Sequence, residues 1–182
     1  MTARLLLKAG GLAVALTALW TGAAVAQDRA APDAPRPFLS RVTVELPVLT
    51  RHTPHDSAFN DENWGAFVDV ALTDTFSVVG GDFRNSYHRN TAFAAVSWEP
   101  IRVRVADARL AFGAIAGVDL NGGYRPFNSA DPFLGAFNLR LTAAEPDPNR
   151  AFTRLGLLLT VIPPAPKNGS TAVNLALTYR LK

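Results

Sequence analysis

The chain of 182 residues has no cysteine, so a small exported protein made from it cannot be held by disulfides and must rely on backbone pairing and burial. Long apolar runs are missing as well. Beyond residue 26 no stretch reaches the roughly 18 uninterrupted apolar positions that a spanning helix needs, which excludes a helical membrane protein. Nor is there a real excess of one charge sign: the formal net charge of +3 falls to +1 once Arg4 and Lys8 are removed with the N-terminal segment, so the basic balance gives no reason to expect nucleic acid. A Gly-rich phosphate loop and a nucleotide fingerprint are both absent, and no cofactor is expected.

At the N-terminus, Arg4 and Lys8 flank and precede an apolar run from Ala9 to Leu19, followed by the small-residue site Ala24-Val25-Ala26. That is the pattern of a cleaved secretory signal peptide over residues 1–26. Residues 27–40 carry Pro32, Pro35 and Pro37 among Ala, Asp and Arg, and read as a loose periplasmic lead-in.

From residue 41 onward the dominant signal is alternation. Apolar residues recur at every second position in runs of about ten, the pattern of strands that cross a membrane. Strands are expected over Arg41 to Thr50, Asn63 to Thr73, Thr75 to Arg84, Thr91 to Glu99, Arg109 to Asp119, Pro132 to Thr142, Phe152 to Ile162 and Thr171 to Leu181. In the last of these, Val173, Leu175, Leu177 and Tyr179 oppose Ala172, Asn174, Ala176 and Thr178; in the fifth, Leu110, Phe112, Ala114 and Val118 oppose Ala111, Gly113, Gly117 and Asp119. A soluble sandwich or lipid-binding barrel also alternates, but it carries charge on its outer face, and that charge is largely missing here. In hydrocarbon every backbone group must be paired and no sheet edge is tolerated. The expected fold over residues 41–182 is therefore all-β, an eight-stranded antiparallel up-and-down transmembrane β-barrel in the outer membrane of a Gram-negative bacterium.

Connection lengths set the expected topology. The Thr73-Asp74-Thr75 turn and residues 100–108 and 143–150 fall on the periplasmic side, while Arg51 to Glu62, Asn85 to Asn90, Asn121 to Asp131 and Pro163 to Ser170 face outward. All three histidines lie in two of the outer connections: His52 and His55 in the first, His88 in the second, with Ser86 beside it. An imidazole that takes the proton of a nearby hydroxyl activates the oxygen for acyl transfer. The same residues also suit an ordinary polar rim. His52, His55, Asp56 and His88 have the ligand types for a metal but no spacing that would make them converge, so no metal is expected.

Leu46-Pro47-Val48-Leu49-Thr50-Arg51-His52 resembles the first-strand segment of the lipid A palmitoyltransferases (the PagP family), which ends in that family's catalytic histidine. Asn60-Asp61-Glu62-Asn63-Trp64-Gly65 resembles the approach to the family's second strand, and Asp82-Phe83-Arg84-Asn85-Ser86-Tyr87 the segment holding its catalytic acid and serine. Phe112 to Val118 and the strand, Pro-loop, strand ending from Val161 to Leu181 are similar too. The resemblance implies an acyltransferase that moves a palmitoyl-like chain from a phospholipid donor to lipid A or another lipid acceptor; separately, a monomer is expected. The resemblance also implies His52 as general base, Ser86 as nucleophile or proton-relay hydroxyl, Asn85 at the position of the acid, and the lumen as acyl pocket. Gly113, Gly117, Ala172 and Ala176 would suit such a lumen, although glycines also relieve crowding in a narrow barrel. The amide of Asn85 can orient an imidazole without supplying negative charge; Asp82 and Asp56 are the nearby carboxylates that could act instead. The alternative is a catalytically silent barrel that binds lipid or stiffens the membrane. Trp64, Trp98, Tyr87, Tyr124 and Tyr179 fall near strand ends and are expected at the bilayer boundary. Arg102 and Arg104 are read as part of a solvated periplasmic connection.

Overall fold

The computed structural model describes residues 37–55, 58–124, 132–164 and 169–182; the expected signal peptide and most of the expected proline-rich lead-in lie outside them. The alternating segments form eight strands: β1 (Val42–Thr53), β2 (Gly65–Ala71), β3 (Phe76–Arg84), β4 (Asn90–Val105), β5 (Ala108–Asp119), β6 (Phe133–Ala143), β7 (Leu155–Ile162) and β8 (Thr171–Arg180). Each pairs antiparallel with the next, and β8 returns to β1, so the sheet closes as an up-and-down barrel. Closure leaves no free edge strand, which is how a chain without crosslinks holds most of its backbone polar groups paired. Two short 3₁₀ turns, Phe38–Arg41 and Ala151–Arg154, lead into β1 and β7.

The outward and inward faces follow the period-two pattern. Leu46, Val68, Val78, Val96, Phe112, Phe137, Leu157 and Leu177 are exposed on the outside of the wall, while Val79, Phe93, Ala95, Leu158, Ala172 and Ala176 are buried within. An apolar exterior of this kind suits a hydrocarbon surround.

Two irregularities break the period, and both change which side chains face the interior. Along β1, Pro47 pairs with Ala176 and Leu49 with Leu175, so Val48 is an extra residue bulged out of the ladder. Glu45 and Pro47 line the lumen below the bulge; above it the phase has changed, Thr50 lines the lumen and His52 is buried. A regular strand would turn His52 outward, because one residue of slip exchanges the two faces. The second bulge sits between Trp98 and Ile101 of β4, where Glu99 and Pro100 oppose the single residue Gly113 of β5. A Cβ at position 113 would collide with the Trp98 carbonyl, so glycine is what lets the bulged backbone approach.

The β4 bulge also corrects the expected end of that strand at Glu99. Pro100 is absorbed in the bulge, the ladder continues to Val105, and the connection to β5 shrinks from residues 100–108 to Ala106 and Asp107, with Ala106 at φ 51°. Arg102 and Arg104 are therefore strand residues; Arg104 pairs with Glu145 at 2.9 Å.

Pairing between β1 and β2 covers only Val42 to Glu45 against Phe67 to Val70. Beyond Glu45, β1 stays laddered to β8 as far as Thr53, while Gly65 and Ala66 of β2 pair only with β3. The wall consequently has an unladdered seam beside the upper half of β1, where Pro47 has no N–H to offer a neighbour.

Candidate functional site

The rim at the seam gathers the β1–β2 and β3–β4 connections. His52, turned inward by the bulge, meets Ser86 with its Nε2 2.8 Å from Oγ. Its other ring nitrogen, Nδ1, is 2.7 Å from Oδ1 of Asp61. With the proton on Nδ1 donated to the carboxylate, Nε2 is free to accept the Ser86 hydroxyl proton. Serine, histidine and aspartate thus form one chain of hydrogen bonds, the arrangement that activates a hydroxyl for attack on an ester. His52 and Ser86 are each 6 % exposed, so the contact is shielded from bulk water.

Asp61, rather than the residue at 85, is the carboxylate partner. Asn85 is fully buried and its amide is committed elsewhere: Oδ1 accepts from the N–H groups of Tyr87 and Arg89, while Nδ2 donates to Thr91 Oγ1 at 2.9 Å and to the Gly123 carbonyl at 2.6 Å. It therefore shapes the β3–β4 turn that presents Ser86. Of the other carboxylates considered, Asp82 is exposed on the outward side of β3, and Asp56 lies outside the described residues. His55 and His88 are both exposed, and His88 has a left-handed backbone at φ 61°.

Asn60 fixes Asp61 in place. Its N–H donates to the Ser86 carbonyl at 2.8 Å, and its buried amide donates to the carbonyls of Glu62 and Asn85. The two connections are thereby stitched together at the residues that flank the reactive groups. The Asn63 side chain comes within 3.5 Å of Ser86 Oγ from the lumen side.

Arg51, the outward neighbour of His52, sets its Nη1 3.1 Å from Oδ2 of Asp61. Burial alone would raise the Asp61 pKa, but the hydrogen bond and charge of His52, joined by those of Arg51, outweigh it and hold the carboxyl below its usual range. Phe59 stacks on the His52 ring at 4.8 Å, Tyr87 meets Phe59 edge-on, and Tyr124 lies against Tyr87. Tyr124 is buried among these rings and lines the cavity, so it does not belong to a boundary belt; Trp64 and Trp98 remain exposed on the outside. Burial, with a smaller contribution from Tyr87, pushes the Tyr124 phenol well above its ordinary value.

Ser86 opens onto a cavity of about 1020 Å³, counted out to its mouth, that runs down the lumen. Its middle is walled by Phe67, Val79, Phe83, Phe93, Ile115 and Leu134. Ala172, Ala176 and Gly117 line it; Gly117 also relieves crowding in the wall, since a Cβ there would meet the Ala94 carbonyl, and Gly113 serves the β4 bulge. Lower down the wall turns polar. Asn138 bridges Ser97 and Thr160, and beneath them Arg140 ties Glu45, Asp69 and Glu99 at 2.8, 2.8 and 2.9 Å.

Comparison with protein-family models and with curated proteins gives no match to this chain. What it does must therefore be read from these groups and their surroundings.

Proposed function

We propose that this protein is an outer-membrane acyltransferase that moves a palmitoyl-like chain from a phospholipid to lipid A or a related lipid hydroxyl. The observation that carries the reading is the Ser86–His52–Asp61 relay at the mouth of an apolar lumen, with an unladdered seam in the wall next to it. A reactive group inside a barrel mouth suits a substrate whose tail fills the interior while its ester stays at the rim. The seam gives such a tail a route from a bilayer, and the apolar exterior suits that bilayer.

In this scheme Ser86 Oγ attacks the donor's ester carbonyl as His52 Nε2 takes its proton. The tetrahedral adduct collapses, the lysophospholipid leaves with that proton, and an acyl-serine remains. The acceptor hydroxyl then gives its proton to His52 and takes the acyl group, and His52 passes that proton to Ser86 Oγ as the acyl-serine bond breaks. Asp61 holds the imidazole with Nδ1 protonated and compensates its charge while it carries the second proton. The tail lies along Phe67, Phe83 and Phe93, and the polar layer of Asn138 and Arg140 limits its depth.

The catalytically silent alternative drew its force from the amide at position 85, and Asp61 offers the carboxylate which that position lacks. The test is transfer of a labelled acyl chain from phospholipid to lipid A by purified protein in detergent. Wild type is expected to transfer, with Ser86→Ala and His52→Ala at background. Background rates for all three would overturn the proposal.

A further inference from the structure

Arg51 stands where the relay meets the outside of the wall. The β1 bulge that turns His52 inward leaves Arg51 pointing out, and its side chain is 63 % exposed. Both of its hydrogen bonds run through one nitrogen: Nη1 reaches Asp61 at 3.1 Å and the Thr50 carbonyl at 3.3 Å. Nε and Nη2 make none among the described residues, and together they form the side of the guanidinium fork that grips two oxygens of a phosphate or carboxylate. Arg51 lies on the stretch of β1 beyond its last pair with β2, at the same seam that borders the relay.

Resting on the acyltransferase reading, we propose that Arg51 binds the phosphate of the acyl donor through Nε and Nη2 while Nη1 keeps hold of Asp61. A donor whose tail lies in the lumen and whose ester carbonyl is at Ser86 carries its headgroup outward past the His52 ring and Asp61. Between Ser86 and Arg51 stand the His52 ring and the Asp61 carboxylate, joined by hydrogen bonds of 2.8, 2.7 and 3.1 Å, and the glycerol and phosphate of the donor follow that line outward. One guanidinium would then read the headgroup and brace the carboxylate that orients the base. The substrate class follows: acyl esters bearing a phosphate one glycerol unit from the scissile bond, in preference to uncharged esters.

The experiment compares kcat/KM for a palmitoyl phosphatidylglycerol and for uncharged p-nitrophenyl palmitate, with water as the acyl acceptor and again with lipid A, in wild type, Arg51→Gln and Arg51→Lys. Arg51→Gln is expected to lower the phospholipid-to-ester ratio at least about tenfold, the worth of a charge-assisted bidentate contact, with the change in KM. Arg51→Lys is expected to fall between, because it keeps the charge and loses the fork. An unchanged ratio, with both substrates slowed alike, means that Arg51 only holds Asp61 and overturns the inference while leaving the transferase reading intact. A defect seen only when lipid A is added assigns Arg51 to the acceptor and overturns it too. No turnover of either substrate by wild type with lipid A present overturns the acyltransferase reading itself, and this inference with it.

Discussion

Asn85 and Asp61 divide two tasks that a single acidic residue could not perform together here. The side chain at 85 must donate to Thr91 and Gly123 as well as accept from two backbone N–H groups, and an ionised carboxylate only accepts. Asn85→Asp is therefore expected to lower stability by about 1–3 kcal/mol for the donors lost in a buried site, without raising activity; thermal unfolding and the transfer assay check both. Asp61→Asn is expected to cut turnover by about 10⁴-fold with folding preserved, the loss typical of a Ser-His-Asp relay that keeps its shape but loses its carboxylate. The Asp61 pKa is depressed in the folded protein, so the stability its ion pairs contribute is fully present above the unfolded value near 3.8 and fades as pH falls through the lower folded value. Acid unfolding of Asp61→Asn should accordingly lack that part of the low-pH loss. The sequence made His52 and Ser86 conspicuous, since an imidazole and a hydroxyl fall at two places that topology brings to one rim, although His52 belongs to the end of β1 and not to the connection after it. Asp61 carried no such mark: a loop residue has no periodicity, and it is the hydrogen bonds of Asn60 that aim it.

Among the strands, β1 shows how one extra residue decides what the lumen contains. Its even-numbered positions look like one uninterrupted face from Val42 to His52, but Val48 and Leu49 both point outward and the inward face moves from Glu45 and Pro47 to Thr50 and His52. Deleting Val48 should remove the bulge while keeping Leu49 opposite Leu175 and His52 opposite Ala172. Ser86 in that variant is expected to retain labelling by a fluorophosphonate; a folded barrel that no longer labels would show that the bulge acts otherwise than by setting register. Proline at 47 did mark a local defect in the sequence, although its direction was not readable there. Pro100 misled in the opposite sense, because a proline at the apparent end of a strand looks like a terminator, and only the pairing with Gly113 shows the ladder stepping over it. The faces of β5, β7 and β8 were legible throughout, since a wall with small or polar groups inside and aliphatic groups outside writes its period directly into the chain.

For the whole molecule, the organising contact is the meeting of four strands at Arg140. Glu45 from β1, Asp69 from β2 and Glu99 from β4 converge on one guanidinium from β6, linking residues up to 95 positions apart. None of the four is remarkable in sequence, since each occupies an inward slot that tolerates polar groups, and their convergence exists only once the sheet closes. Arg140→Met leaves three buried carboxylates without their counter-charge and is expected to destabilise the barrel by about 3–5 kcal/mol, measured by urea unfolding in detergent. The same clasp has a consequence for the membrane that would host the protein. Side chains from four strands joined inside the bore would obstruct it, so a cell could carry many copies with little leakage of ions or small solutes through them.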